Sequence, residues 1–317
     1  MAQGVVPHQP VMVGEVLTAL QPAADGIFID CTYGRGGHSR ALLQALGSNG
    51  KVIALDRDPS AVRAGLAYAA EEPRLRVVRA RFSALHTVAD DLDVTGKVNG
   101  VLFDLGVSSP QLGEAGRGFG FQSDGPLDMR MDYEEGRTAA EWIARADAEE
   151  IADVLWRFGD ERHSRRIARA ICMARRAQAI NTTGELARIV ESAIPRPGRG
   201  TRRRGHPGKH PATRTFQAIR IFINDEIREL QSALGHAVDV LAPGGRLAAI
   251  SFHSLEDRTV KRFMRDLARS VTRGVKAVNA PGAKLRVIGR PLRPTDAEIR
   301  RNPRSRSAVL RVAERLA

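Results

Sequence analysis

A short apolar run in the N-terminal part of the sequence ends in an acid and is followed by closely spaced glycines. The run is Ile27–Ile29, followed directly by Asp30. The glycines are Gly34, Gly36 and Gly37. A helical pattern of apolar residues begins after them, so this stretch predicts a strand, a glycine turn and a helix. Because glycine adopts positive φ and has no Cβ, a nucleotide can approach the backbone of the turn and the helix N-terminus.

A second acid, Asp56, ends the next predicted strand, Lys51–Asp56. About twenty residues beyond such glycines, a carboxylate can accept hydrogen bonds from both hydroxyls of a ribose. NAD-dependent enzymes share this spacing, and a βα turn without a ligand can also produce it. The run from Asp30 to Gly36 resembles the acid-then-glycine signature of S-adenosylmethionine-dependent methyltransferases, with Thr32 where those enzymes usually have glycine.

The composition limits the classes of protein that this chain can be. With 317 residues, of which 43% are hydrophobic, it can bury a large core and is long enough for two domains. Lys and Arg number 49 against 36 Asp and Glu, a net charge of +13 that favours a polyanionic partner such as nucleic acid. A basic, well-solvated surface is the alternative. The sequence shows neither a leader pattern nor a membrane-spanning apolar run, so we expect a soluble cytoplasmic protein.

The two cysteines, Cys31 and Cys172, are far apart in the sequence. Their spacing predicts neither a disulfide framework nor a zinc site, and we expect no bound metal. They also bear on the chemistry of methylation, because transfer to carbon five of a pyrimidine generally needs a cysteine nucleophile. Cys31 lies within the glycine turn and Cys172 within a helical pattern elsewhere. A nitrogen or oxygen acceptor is therefore favoured.

The fourth predicted strand, Val98–Asp104, ends in a segment that is suited to methyl transfer. Transfer from a sulfonium is an in-line displacement, so the enzyme mainly positions the acceptor. Amino-methyltransferases place an acid or asparagine, two prolines and an aromatic residue here to orient an exocyclic amine. This chain has Asp104 and then Ser108, Ser109 and Pro110. The match is partial, so these residues are candidates for catalysis or form a simple turn.

Two rings also follow predicted strands at the same edge of the sheet. Phe82 comes after the strand Leu75–Arg79 and can pack against an adenine or within the core. His253 follows the fifth predicted strand and is a further tentative catalytic candidate. With a closing strand pair near the C-terminus, at 284–288 and 307–312, the pattern predicts a Rossmann-like α/β methyltransferase sheet.

The alternation of strands and helices stops at about Gly113 for roughly a hundred residues, longer than an ordinary connection. We expect a discontinuous catalytic domain, 1–112 and 213–317, with an inserted, mainly α-helical RNA-recognition domain at 113–212. Helices are predicted over 139–158, 163–179 and 215–234. The second of these carries arginines that either form a solvated face or meet phosphates. They are Arg165, Arg166, Arg169, Arg175 and Arg176.

An Arg-rich loop near the end of this insert concentrates positive charge. No acid occurs between Ser192 and Asn224. The candidate RNA-binding residues are Arg202, Arg203, Arg204 and Lys209. Such a loop suits phosphate backbones, although a solvated surface loop is the alternative because no aromatic side chain interrupts the run to stack on bases.

Six segments spread over nearly the whole chain carry a more specific resemblance. They are Thr32-Tyr-Gly-Arg-Gly-Gly-His-Ser, Asp56-Arg-Asp-Pro, Asp104-Leu-Gly-Val-Ser-Ser-Pro-Gln-Leu, Gly125-Pro-Leu-Asp-Met-Arg-Met-Asp, His210-Pro-Ala-Thr-Arg-Thr-Phe-Gln-Ala and Ile250-Ser-Phe-His-Ser-Leu-Glu-Asp-Arg. Together they resemble the bacterial 16S ribosomal RNA cytosine-N4 methyltransferase family, small-subunit methyltransferase H. The resemblance implies methylation of N4 of a decoding-centre cytidine with S-adenosylmethionine, on the assembled small ribosomal subunit.

The same resemblance implies a set of cofactor-binding residues. They are Gly36, Gly37, His38, Asp56, Phe82, Asp104 and Gln111. The Arg-rich stretch before His210 is longer than in the family pattern. From the residues alone, a dehydrogenase and a non-catalytic RNA-binding factor stay open as alternatives, as does a monomer or a homodimer.

The Arg-rich loop generates a first prediction. Changing Arg202, Arg203 and Arg204 together to Ala should weaken binding to an RNA particle and flatten its salt dependence, because fewer counterions are released. Affinity for S-adenosylmethionine should not change. Binding measured across a salt series tests this, and an unchanged slope would identify the loop as a solvated surface.

Overall fold

The computed structural model describes residues 10–195, 210–269 and 283–317. The chain divides into two compact units, one of Met1–Gly106 with Ile227–Ala317 and one of Val107–Glu226. The second unit is an insertion between the fourth and fifth strands of the first. No helix in the described ranges is long and apolar enough to cross a membrane.

The elements of the first unit before the insertion are α1 (Val13–Leu20), β1 (Ile27–Asp30), α2 (Gly37–Ala45), β2 (Lys51–Asp56), α3 (Pro59–Ala69), β3 (Leu75–Arg79), α4 (Leu85–Asp91) and β4 (Val98–Asp104). The helices that follow are α5 (Ser109–Gly113), α6 (Ala139–Arg145), α7 (Ala148–Gly159), α8 (Ser164–Ala177), α9 (Thr183–Ala193) and α10 (Thr213–Ile223). The chain ends with α11 (Glu226–Val240), β5 (Leu241–Ser251), α12 (Ser254–Leu267), β6 (Leu285–Leu292), α13 (Asp296–Arg301) and β7 (Val309–Arg315). Short 3₁₀ helices occupy Phe82–Ala84, Ala115–Arg117 and Pro303–Ser307.

The strands of the described residues form one sheet in the order β3-β2-β1-β4-β5-β7-β6. The first five strands are parallel, and β7 runs antiparallel to both β5 and β6. The chain moves outward from β1 through β2 to β3 and then returns to β4 on the other side of β1. The predicted Rossmann-like α/β fold with its closing strand pair is confirmed.

Helices cover both faces of this sheet, which explains why its parallel strands read as continuous apolar runs. Side chains of a strand alternate between faces. In β1, Phe28 packs on one face with α1 and α2, while Ile29 packs on the other with α4 and α11. Helix α3 begins at an N-cap, where Asp58 accepts a hydrogen bond from the Ser60 amide at 2.9 Å and Pro59 lies in the first turn.

The second unit has its own hydrophobic core, centred on the fully buried Trp142. The indole Nε1 of Trp142 donates to Glu150 Oε1 at 2.7 Å, so the one polar atom of this ring is satisfied. The described part of the unit is mainly helical, as predicted. Helix α10 packs against α7 and therefore belongs to this unit. The domain boundary predicted from the sequence had placed this helix in the catalytic domain.

Two predicted helices are each broken into two. The helix expected over 139–158 is broken at Asp147, which caps α7 by accepting from the Glu150 amide at 2.8 Å. The helix expected over 215–234 is broken at Asn224 and Asp225, where Asp225 has φ of 50°. The Asn224 side chain bonds the Met129 carbonyl and the Met131 amide, both at 2.7 Å. These contacts satisfy backbone groups of a distant loop, which a continuous helix would not do.

The close packing of β4 against β1 gives a second prediction. A Cβ on Gly100 would lie 2.6 Å from ring atoms of the buried Phe28. Gly100→Ala should therefore destabilise the protein by about 1 to 3 kcal/mol, as overpacked cores do. In a Phe28→Leu background the same change should cost less, since the ring is gone. Urea unfolding of the four proteins measures both costs.

A helical glycine in open space provides the control for that prediction. A Cβ on Gly235, in α11, would have nothing within 4 Å. Gly235→Ala should stabilise the protein by roughly 0.5 to 1 kcal/mol through helix propensity. Equal costs for Gly100→Ala in both backgrounds would show that Phe28 does not set the limit.

Candidate active site

Three acids lie at the carboxyl ends of neighbouring parallel strands. Asp30 ends β1, Asp56 ends β2 and Asp104 ends β4. Because these strands are parallel and adjacent, their ends meet at one edge of the sheet. The order of the strands reverses between β1 and β4, and open α/β sheets bind ligands in the crevice at such a point. The predicted site residues of the first unit therefore converge where the topology predicts a ligand.

Asp30 does not face this crevice as a free acid, because it is completely buried and fully bonded. Its Oδ1 accepts from the amide and hydroxyl of Thr32, at 3.1 and 3.3 Å. Its Oδ2 accepts from the hydroxyl of Ser39 in α2 at 2.7 Å. The Thr32 hydroxyl in turn accepts from the Asp104 amide at 2.8 Å. Asp30 thus holds the turn, the helix and the end of β4 in one network.

Sequence reasoning did not identify the roles of Thr32 and Ser39. Thr32 replaces the glycine that is usual at this position, and its hydroxyl joins β4 to β1. Ser39 lies within the segment Thr32-Tyr-Gly-Arg-Gly-Gly-His-Ser, and this was its only signal in the sequence. A short hydroxyl side chain in the first turn after buried glycines is the pattern that marks such a partner.

The glycine turn is required by packing within the protein. Gly36 has φ of 73° and precedes α2, and a Cβ there would lie 2.5 Å from the hydroxyl oxygen of Tyr33. A Cβ on Gly37 would lie 2.8 Å from Pro10. Neither position accepts a larger residue. The glycines are therefore explained without a ligand, and their predicted cofactor contact is an additional role.

Asp56 both stabilises the turn and presents further acceptor positions. Its Oδ2 accepts from the Gly34 amide at 2.7 Å and its Oδ1 from the Asp58 amide at 2.9 Å. Each carboxylate oxygen can accept a second bond, as the hydroxyls of a ribose require. Burial raises the pKa of Asp56 to about 6, while the amides of Asp58 and Gly34 oppose that rise. The charges of Asp58 and Asp30 raise it further.

His38 is almost completely buried, and its two ring nitrogens face different partners. Nε2 lies 2.9 Å from the carbonyl oxygen of Val11, and Nδ1 lies 3.6 Å from Oδ2 of Asp104. A carbonyl oxygen only accepts, so Nε2 carries a proton and donates it. In the neutral ring, Nδ1 then faces the carboxylate oxygen as a second acceptor.

The surroundings of the Asp104 carboxyl group disfavour its ionised form. Its Oδ1 is buried and has no hydrogen-bond partner among the described residues. Burial raises the pKa of Asp104 to about 6; His38 lowers it, and the charges of Asp30 and Glu256 raise it. A buried oxygen without a partner costs free energy, and such groups concentrate at functional sites. A cation beside this carboxylate would reduce the cost.

The two predicted rings have clear structural roles. Phe82 is partly buried and meets Phe103 edge-to-face at 6.0 Å between centroids, so its contact with the core is established. His253 precedes α12, where its Nδ1 accepts from the Glu256 amide at 3.3 Å and its Nε2 lies 3.1 Å from Glu256 Oε1. Contact of Phe82 with adenine and a catalytic role for His253 stay predictions.

The remaining predicted site residues lie in the second unit or outside the described residues. Gln111 is buried in α5, where its Oε1 accepts from the Ser108 amide at 2.9 Å and caps the helix. Ser109 and Pro110 form the first turn of α5. Arg202, Arg203, Arg204 and Lys209 lie outside the described residues.

Comparison with known proteins identifies the family. A family model described as the MraW methylase family matches residues 5–316. The chain belongs to the MraW methylase family. It is 52% identical to ribosomal RNA small subunit methyltransferase H of Azoarcus sp. (strain BH72), over 97% of this chain and 96% of that protein. It is 49% identical to the protein of that name from Shewanella frigidimarina, over 98% and 97%.

A solved structure of an rRNA methylase from Streptococcus thermophilus aligns with 99% of this methylase and all of that chain, at 11% identity and a TM-score of 0.42. Family membership confirms the predicted resemblance and the predicted enzyme class. The chain is a methyltransferase, and S-adenosylmethionine is its cofactor.

The residues of the strand-end crevice fit this cofactor. Its ribose hydroxyls are donors that suit the open acceptor positions of Asp56, and its sulfonium is a cation that suits the poorly compensated carboxylate of Asp104. We therefore propose that Asp56 holds the ribose and that Asp104 lies at the sulfonium end. When bound, the cofactor supplies an electrophilic methyl group.

The raised pKa values generate a third prediction. Ribose hydroxyls and a sulfonium both favour ionised carboxylates, whereas Asp56 and Asp104 become protonated as the pH falls through about 6. The Kd for S-adenosylmethionine should therefore rise as the pH is lowered from 7.5 to 5, with a limiting slope near a hundredfold per pH unit for two groups. Asp56→Asn should raise the Kd and reduce that slope towards tenfold. Isothermal titration at each pH measures both.

An exposed acid of the same unit provides the control. Asp93 is 95% exposed and pairs with Lys97 at 3.0 Å. Asp93→Asn should leave the affinity and its pH profile unchanged. A parental profile that is flat between pH 5 and 7.5 would contradict the proposed roles of both buried carboxylates.

Proposed function

We propose that this methylase transfers a methyl group from S-adenosylmethionine to N4 of a decoding-centre cytidine in 16S ribosomal RNA, within the small ribosomal subunit. The observation that carries the proposal is the carboxylate of Asp104, held at the strand-end crevice with an unpaired buried oxygen. Relatives named ribosomal RNA small subunit methyltransferase H, about half identical over nearly the full chain, support the RNA and the subunit.

An exocyclic amine is the acceptor that best suits this carboxylate. The amine of cytosine has two N–H groups and a lone pair delocalised into the ring. A carboxylate that accepts one N–H restricts the rotation of the amine and directs its lone pair at the methyl carbon. The new N–C bond forms as the C–S bond breaks, and one N–H proton then leaves the product. With a pKa of about 6, Asp104 is ionised at neutral pH and accepts this proton transiently.

The cysteines argue against a carbon acceptor. Cys31 is 2% exposed, and burial followed by the charge of Asp30 raises the pKa of its thiol well above the ordinary value. A thiol that stays protonated is a poor nucleophile for a pyrimidine ring. Cys172 lies in α8 of the other unit. The cysteines therefore leave nitrogen or oxygen as the acceptor, and the carboxylate of Asp104 favours the amine nitrogen.

Other parts of the proposal concern the surroundings of the reaction. We propose that the inserted unit recognises RNA, that the assembled subunit rather than naked RNA is the substrate, and that the reaction takes place in the cytoplasm. The net charge of the chain, +13, supports the recognition of RNA, which is a polyanion.

Methyl transfer from labelled S-adenosylmethionine to purified small subunits tests the proposal directly. Nucleoside mass analysis of the digested RNA should find N4-methylcytidine, and naked 16S RNA should accept less label. Label on carbon five of cytosine or on a ribose 2′-oxygen would contradict the proposed acceptor. Label absent from 16S RNA altogether would contradict the substrate.

Asp104 generates a fourth prediction. Asp104→Ala should reduce single-turnover transfer by on the order of a hundredfold at saturating S-adenosylmethionine, because a misplaced acceptor is not rescued by more cofactor. If Asp104 only bound the cofactor, saturation would restore most of the rate. Near-parental transfer under these conditions would move the positioning role to Ser108, Ser109, Pro110 or His253.

The stability of an Asp104 variant provides an independent readout of its raised pKa. An acid with a folded pKa near 6 and an unfolded pKa near 4 destabilises the protein once it ionises, so this cost grows from pH 4 to 6 and persists above. Asp104→Asn should therefore raise the thermal midpoint at pH 7.5 and leave it nearly unchanged at pH 4. A lowered midpoint at pH 7.5 would contradict the burial cost.

A further inference from the structure

An exposed tryptophan lies on α7 of the second unit. Trp156 is 58% exposed, although tryptophan is usually well buried, while Trp142 of the same unit is completely buried. The residues that precede Trp156, Val154 and Leu155, point into the core. The amphipathic pattern of the helix therefore places the Trp156 indole on the outside, where packing within the unit does not require it.

Trp156 and several arginines line one open groove between α7 and α8. The groove has a volume of about 970 Å³ and is lined by Trp156 and His163 together with arginines. These are Arg162, Arg165, Arg166 and Arg169. Within the described part of the chain, none of the four guanidinium groups forms an ion pair with an acid. Their charge is therefore available to an outside partner.

The acids of the groove do not cancel that charge. Two acids, Glu149 and Asp153, line it from α7, against the four arginines. Asp153 is already paired with Arg157, at 3.1 Å. The groove is therefore positive, with one large exposed aromatic face among its cations.

The arginines of α8 divide between two roles. Arg175 donates to the carbonyl oxygens of Ile143 and Ala146, and so caps the end of α6. Arg165 and Arg169 stay on the exposed face, where Arg169 Nε bonds only the Arg165 carbonyl, at 3.2 Å. The sequence predicts either a solvated face or phosphate contacts for these arginines. Arg175 has neither role. For Arg165, Arg166 and Arg169, which line the groove with Trp156, the indole favours a ligand that has both phosphates and rings.

We propose that this groove binds a single-stranded segment of RNA, with a base stacked on Trp156 and the backbone phosphates on the arginines of α8. Aromatic faces bordered by cations are the usual means of binding single strands, because every base has a face to stack and every nucleotide a phosphate. A duplex hides its base faces and does not fit. The proposal rests on the proposed function only in taking RNA as the substrate.

Binding of a fluorescein-labelled single-stranded RNA of about 12 nucleotides, a length within the usual site sizes, tests the stacking role. Trp156→Ala in the full chain should weaken binding by roughly 5- to 150-fold, the range for loss of one stacked base, and Trp156→Phe should restore most of it. RNA should also quench the tryptophan fluorescence of the parent but not that of Trp156→Phe. A duplex of the same sequence should quench neither protein.

Paired charge variants test the phosphate role. Arg165→Gln with Arg169→Gln should reduce the slope of log affinity against log salt by about 1.4, the value for two single-strand phosphate contacts. The control is Arg145→Gln with Arg188→Gln, which removes two exposed charges of the same unit outside the groove. The slope of the control should match the parent. Equal slopes for the two double variants would overturn the phosphate contacts.

Sedimentation of the parent and of Trp156→Ala separates RNA from a second copy of the chain as occupant. A parental dimer that dissociates in Trp156→Ala, with RNA affinity unchanged, would overturn the proposal and assign the groove to self-association. An unchanged sedimentation coefficient with weakened RNA binding supports it.

Methylation assays distinguish failure of this proposal from failure of the proposed function. If the parent methylates small subunits and Trp156→Ala has the parental KM and RNA affinity, the groove proposal is wrong and the function stands. If the parent does not methylate 16S RNA but the groove variants lose oligonucleotide binding, the function is wrong and the groove stands. A raised KM with unchanged single-turnover rate at saturating subunits supports both.

Discussion

Two hydrogen bonds in series hold the candidate active site together. The Asp104 amide donates to the Thr32 hydroxyl, which donates to the buried carboxylate of Asp30. Threonine can accept the first bond and donate the second, which the glycine usual at this position in related enzymes cannot do. Because the Asp30 carboxylate also accepts a hydrogen bond from the Ser39 hydroxyl, it fixes the start of α2 as well. Loss of the Thr32 hydroxyl would leave a buried charge under-bonded and free the end of β4.

The site carries its acids at a cost to the folded protein. Asp56 and Asp104 both have a pKa raised to about 6, so each opposes folding when it is ionised at neutral pH. In the proposed function, cofactor binding needs both carboxylates in the ionised form, and orientation of the acceptor amine needs ionised Asp104. A ligand with hydroxyl donors and a cationic centre supplies the missing stabilisation, so cofactor binding and folding stability are linked through these two groups. The same reasoning predicts that removing the Asp104 carboxylate stabilises the fold while it impairs transfer.

The sequence predicted what local patterns determine and missed what distant contacts determine. Strand β4 and the convergence of acids at one sheet edge follow from short apolar runs and topology. The break before α11 depends on a partner far along the chain, because Asn224 bonds Met129 across 95 residues. His38 is similar, since the Val11 carbonyl that fixes its proton is 27 residues away. Periodicity contains no information about such partners.

The net charge of +13 predicts a polyanionic partner, but it does not show where that partner binds. In the first unit, acids dominate the ends of β1, β2 and β4. In the second, exposed arginines of α8 line a groove together with Trp156, while Arg175 of the same helix caps a neighbour. Charge acts over about 8 Å at physiological salt, so each local cluster, rather than the total, selects its ligand. An acidic site for a cationic cofactor and a basic groove for RNA can therefore belong to one basic chain.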